Sequence, residues 1–100
     1  MGFPAARVGD LTTHGSPLFP GPGSFDVIIG GMPAWRTLLD FHACPIVKGL
    51  VPDVGGVVMI GSPTVFIDFQ MACRVTDQVL EIPGGPNPIV IGCPTVIIGP

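Results

Sequence analysis

The sequence predicts an all-β fold in which three similar units close around a pseudo-three-fold axis into a small conical β prism, with little or no helix, as one domain over residues 1–100. Three observations predict it. Prolines such as Pro20, Pro33, Pro45, Pro52 and Pro63 interrupt every long window, and each costs about 3 kcal/mol inside a helix, which leaves short strands joined by turns. A β-branched block occurs three times, as "GSFDVIIGG" (23–31), "GSPTVFIDF" (61–69) and "GCPTVIIGP" (92–100). A second segment also occurs three times, as "PAARVGD" (4–10), "PAWRTLLD" (33–40) and "MACRVTD" (71–77).

Each β-branched block reads as a turn followed by a strand, with Val and then Ile two residues later on the same side. Val27 and Ile29, Val65 and Ile67, and Val96 and Ile98 are therefore equivalent inward pairs, a three-fold core stripe. The blocks at 23–31 and 61–69 run directly into the second and third Arg segments, whereas the first Arg segment has no strand before it and the last strand nothing after it. Strand 92–100 is accordingly expected beside Gly2 and Phe3, which completes the third unit and removes sheet edges that invite aggregation. The stretches "GPGS" (21–24) and "GGPNP" (84–88) read as turns, because the helix that a phosphate or dinucleotide loop needs does not follow them.

Composition narrows the function. With 47% hydrophobic and only 11% charged residues, much of the surface is expected to be covered by a partner. A net charge of −3 with four Lys and Arg supplies no basic patch for nucleic acid. No apolar run reaches the ~18 to 20 residues of a membrane span, and "MGFPAARVGD" lacks the basic and apolar regions of a signal peptide. Synthesis and folding in the cytoplasm are expected, with the three cysteines as thiols or metal ligands rather than disulfides.

The polar residues that stand out follow the repeated Asp. His14, Cys44 and Glu81 each lie four positions beyond Asp10, Asp40 and Asp77, and all three types bind metals. His42 and Cys44, one residue apart, face the same side of an extended strand. Tetrahedral zinc accepts Cys sulfur, His nitrogen and carboxylate oxygen. The candidate metal ligands are therefore His14, His42, Cys44 and Glu81, with Asp53 in "VPDVGG", Cys73, Cys93 or water as alternatives for the remaining position. Cys73 replaces the second Ala of the motif, as Trp35 does, and Cys93 stands where the other strands have Ser24 and Ser62, so both read as packed small side chains. Arg7, Arg36 and Arg74 read as partners of Asp10, Asp40 and Asp77 rather than as anion-binding groups. A metal-dependent hydrolase would need an open coordination position and a base within reach. Asp40 or Glu81 could be that base, but no further acid/base groups cluster and the expected cone offers no pocket, so no catalytic residue is assigned.

The "PAAR" of Pro4 to Arg7 followed by "VGD", its two degenerate copies, and the strand blocks "GSPTVFI" and "GCPTVII" resemble the PAAR-repeat family over essentially the whole chain. The resemblance implies a conical β protein that caps a trimeric VgrG-type spike of a bacterial type VI secretion system or related contractile injection machine, one monomer per trimer. It implies a role in sharpening the spike for membrane puncture and in attaching effectors, with assembly in the bacterial cytoplasm and delivery outside or into a target cell. A pure toxin-recruiting adaptor is the alternative of a different class. The resemblance further implies one structural zinc ion near the tip, held through His and Cys. This chain has only two histidines, so at least one ligand is of another type. A metal staple suits a short-stranded chain whose core is limited.

Overall fold

The computed structural model describes residues 2–43, 47–48, 51–52, 55–82 and 85–99, and among them every regular element is a strand. In chain order these are β1 (Phe3–Ala5), β2 (Pro20–Gly21), β3 (Ile28–Ile29), β4 (Met32–Pro33), β5 (Phe41–Ala43), β6 (Val47–Lys48), β7 (Val51–Pro52), β8 (Gly55–Val58), β9 (Phe66–Ile67), β10 (Gln70–Met71), β11 (Gln78–Ile82), β12 (Gly85–Pro88) and β13 (Cys93–Ile98). The molecule is elongated, 38 × 26 × 21 Å.

Three short antiparallel pairs carry the β-branched blocks. In β3–β4, Ile29 faces Met32, and in β9–β10, Ile67 faces Gln70. Both turns need two consecutive left-handed residues, the geometry that matches the twist of a tight hairpin. Gly30 and Gly31 supply it at φ 55° and 87°, while Asp68 and Phe69 adopt it at 52° and 69° without being glycine. The third pair joins the first strand to the last, with β1 antiparallel to β13 and Phe3 facing Ile98. The expected neighbourhood of residues 92–100 and Gly2–Phe3 is thus what forms.

One apolar cluster fills the space between these pairs. It consists of Ala5, Ala34 and Ala72 with Ile29, Ile67, Ile98 and Cys93, and Val27, Val65 and Val96 pack against it. The Val and Ile positions expected to point inward do so in all three blocks. Alanine is the residue at 5, 34 and 72 because each is fully buried in this shared cluster, where a longer side chain would overpack a space that is already filled.

The next residue of each Arg segment belongs to a second cluster, made of Ala6, Trp35 and Cys73 with Leu18, Val58, Val79 and Ile89. Between the clusters the backbones of the three segments bond one another in a ring. Trp35 N donates to Ala6 O at 3.0 Å, Ala6 N to Cys73 O at 3.0 Å, and Cys73 N to Trp35 O at 3.2 Å. A parallel set links Val8 N to Pro33 O, Thr37 N to Met71 O and Val75 N to Pro4 O.

The Arg and Asp of each segment then close the turn. Arg7 donates Nε to Asp10 Oδ2 (3.1 Å) and Nη2 to Oδ1 (2.9 Å), while its own backbone N–H also reaches Oδ2 (2.8 Å). Arg74 makes the same three bonds to Asp77. Arg36 makes them to Asp40 and adds Nη1 to Asp68 Oδ2 at 3.0 Å. Hydrogen bonds to these carboxylates hold the Arg7 and Arg36 guanidinium groups above their ordinary range. The two-pronged pairing is the strong form of such bonds.

Above the second cluster, a five-stranded sheet runs in the order β12, β11, β8, β5, β2. Residues 9–13 connect its two edges. On one side Thr12 pairs with Ile89 and Thr13 N donates to Pro88 O, and on the other Leu18 N donates to Asp10 O and Gly9 N to Leu18 O. The stretch "GGPNP", read as a turn, departs from that expectation: Gly85–Pro88 form β12, with Pro86 and Pro88 opposite Leu80 and Gln78 of β11. An edge strand tolerates proline because the missing N–H is needed only on a paired side.

Candidate metal centre

Strand alternation aims polar side chains into the space enclosed by the five-stranded sheet. In β11, Val79 and Glu81 are buried while Gln78 and Leu80 are exposed, and in β5, His42 is buried between exposed Phe41 and Ala43. Asn87 shares the buried face of its segment with Ile89. His14 comes from the turn between Thr12 and Ser16, where Thr12 N donates to Ser16 O and Gly15 N to Thr12 O. Gly15 takes φ 81° there, a left-handed conformation that a side chain disfavours.

Three of the four expected ligands meet at this place. His14 Nδ1 lies 3.1 Å from Glu81 Oε1, and His42 Nε2 lies 3.3 Å from Glu81 Oε2. These separations suit donors that share a zinc ion, since bonds of about 2.0–2.1 Å place tetrahedral neighbours roughly 3.3 Å apart. The two contacts use different carboxylate oxygens, and among the described residues no three His, Cys, Asp or Glu side chains form a closed metal-holding group. Cys44, the remaining expected ligand, and Asp53, the alternative to Glu81, lie outside the described residues. The donor types present fit zinc.

A hydrogen-bond network surrounds the carboxylate. Asn87 Nδ2 donates to Glu81 Oε2 at 2.6 Å and to Thr12 Oγ1 at 2.9 Å. Thr13 Oγ1 donates to Asn87 Oδ1 at 2.9 Å, and His14 N donates to the same oxygen at 3.1 Å. Ser16 Oγ sits 3.1 Å from His42 Nε2. Neither Asn87 nor Ser16 and Thr12 stood out in the sequence. For Asn87 a signal existed: counting back two residues from the apolar Ile89 places it on the inward face, and a buried amide implies partners.

The remaining cysteines behave as packed groups. Cys73 and Cys93 are buried free thiols. Burial pushes the Cys73 thiol well above its usual range. Cys93 occupies the position at which Ser24 Oγ accepts from Asp26 N and Val27 N, and Ser62 Oγ from Thr64 N and Val65 N. Its own sulfur lies 3.3 Å from Thr95 Oγ1. Hydrogen bonds from the Thr95 hydroxyl and backbone, with Arg7 nearby, lower its pKa.

A lateral groove of about 300 Å³, lined by Met59, Ile60, Thr76, Asp77, Gln78 and Leu80, is a feature that the sequence reading did not expect. Its carboxylate, Asp77, is engaged by Arg74. No protein-family model and no curated protein matches the chain.

Proposed function

We propose that this chain is a PAAR-like structural tip that caps a trimeric VgrG-type spike of a bacterial contractile injection system, one chain per trimer. The observation that carries the reading is the ring of backbone bonds through Ala6, Trp35 and Cys73. Three equivalent positions of one chain are related there as three subunits of a trimer would be. A cap of this kind meets a three-fold partner without a mismatch at each contact.

The three strand pairs supply a docking face. Ile28, Phe66 and Ile97 hold equivalent places in them, opposite Pro33, Met71 and Pro4, and are 54%, 59% and 57% exposed. Apolar residues so exposed at matched positions suit a protein partner. At the other end, one zinc ion would be held by His14, His42 and Glu81 with Cys44, as a structural staple rather than a catalyst. Puncture of a target membrane and carriage of effectors follow from this placement at the head of a spike.

Static light scattering of the chain mixed with a purified trimeric VgrG-type spike tests the reading. One chain per trimer is expected, and three chains per trimer would contradict it. Phe66→Asp is expected to weaken the complex while leaving the thermal midpoint of the isolated chain within a few degrees, because the side chain faces solvent.

A further inference from the structure

We propose that Asn87 is the positioning residue of the candidate zinc centre, orienting Glu81 and His14 together. The proposal rests on the zinc reading above and adds to it a residue that binds no metal itself.

Asn87 is fully buried. A side-chain amide offers two N–H donors and an oxygen with two lone pairs, and here each capacity has a separate recipient. The amide nitrogen serves Glu81 Oε2 and Thr12 Oγ1, and the oxygen accepts from Thr13 Oγ1 and His14 N. Turning the amide over would set its oxygen against the carboxylate and its N–H groups against the His14 N–H, which can only donate. Its orientation is therefore fixed.

Two candidate ligands depend on that orientation. Glu81 is held through one carboxylate oxygen at 2.6 Å, which directs the other, Oε1, toward His14 Nδ1 at 3.1 Å. His14 is held through its backbone N–H, which fixes the turn that delivers the imidazole. Since His14 and Glu81 lie in different sequence repeats, no local turn chemistry could align them, and Asn87 spans the gap. Outer partners of metal ligands act in this way, fixing a ligand's orientation and the atom it presents.

The test uses the whole chain with zinc, and with cobalt(II) as a spectroscopic stand-in, in wild type, Asn87→Ala and Thr13→Val. For Asn87→Ala, competition against a chelator is expected to show zinc affinity lower by about 10- to 100-fold. Its cobalt absorption bands should also shift in position or intensity, a change that loss of packing alone does not produce. Thr13→Val removes a single bond to Asn87 at an exposed site, and a loss of about three-fold in affinity is expected with the wild-type spectrum kept.

A folded Asn87→Ala protein with wild-type affinity and spectrum would overturn the assignment and leave the zinc reading standing. Should Asn87→Ala fail to fold, an unchanged affinity in Thr13→Val overturns it instead. A wild-type chain that takes up neither metal overturns the zinc reading, and this proposal with it.

Discussion

The two ends of the molecule are built by different means from the same three repeats. At one end, Val27, Val65 and Val96, then Ile29, Ile67 and Ile98, occupy equivalent places and pack into one apolar cluster. At the other, equivalent positions carry His14 and Glu81, and the network around them draws on Ser16, Thr12 and Asn87, with His42 and Val79 rather than a second and third Thr at the places that match Thr12. Apolar contact is nondirectional, so one side chain can serve three times. Polar satisfaction is directional, and each donor must find its own acceptor. Repetition makes the frame, and divergence makes the site.

The join between the ends gives the largest expected effect. Trp35 is fully buried in the second cluster and its backbone takes part in the ring. Trp35→Ala is expected to cost about 3–5 kcal/mol by chemical denaturation. A cost under about 1 kcal/mol would show that the cluster at the join contributes little.

The Arg–Asp pairs sharpen the contrast between copies. In the second copy the Asp40 side chain is completely buried and also accepts from Gly23 N at 2.8 Å, whereas the Arg7 and Asp10 side chains are 19% and 6% exposed. Removing one partner of a buried pair strands the other charge, so Arg36→Ala is expected to cost about 3 kcal/mol. Arg7→Ala should cost about 1 kcal/mol, nearer the value for an exposed pair. Equal losses on thermal unfolding would erase the distinction.

A smaller effect is expected at the one thiol in the repeated turn. Ser24 and Ser62 already show that a hydroxyl serves at the place of Cys93, so Cys93→Ser should change stability by less than about 1 kcal/mol. A large loss would mean that the sulfur fills space that oxygen cannot.

The smallest effect concerns acid. Hydrogen bonds from Ser24, and then Arg36, lower the Asp68 carboxyl pKa below its usual 3.8. A depressed carboxylate stabilises the fold above its unfolded pKa, and that contribution fades as pH falls through the folded value. The gap in thermal midpoint between wild type and Asp68→Asn should therefore hold at neutral pH and close below about pH 4. A gap independent of pH would assign Asp68 a purely steric role in its left-handed turn.

Much of the frame was legible in the sequence because it depends on period and identity. The Val–Ile pairs, the Arg–Asp turns and the pairing of the first and last strands all follow from aligned copies. His14 and Glu81 were legible for the same reason, each standing four residues past a repeated Asp. Their partners were less so: Asn87 had only its spacing from Ile89 to mark it, against flanking prolines that signal a turn rather than a strand, and it meets Thr12 across 75 positions. Asp68 was missed too, because its bonds to Ser24 and Arg36 arise from a φ of 52° that its residue type does not announce.

Hydrogen exchange by mass spectrometry, before and after a chelator strips the purified protein, tests the division between the two ends most directly. The account predicts about one zinc per chain at the start. After its removal, faster exchange should be confined to residues 10–20, 41–43, 78–82 and 85–89, with residues 27–34, 65–72 and 93–98 unchanged. Identical exchange in both samples, or an equal rise at both ends, would contradict a metal-held end on a frame held by packing.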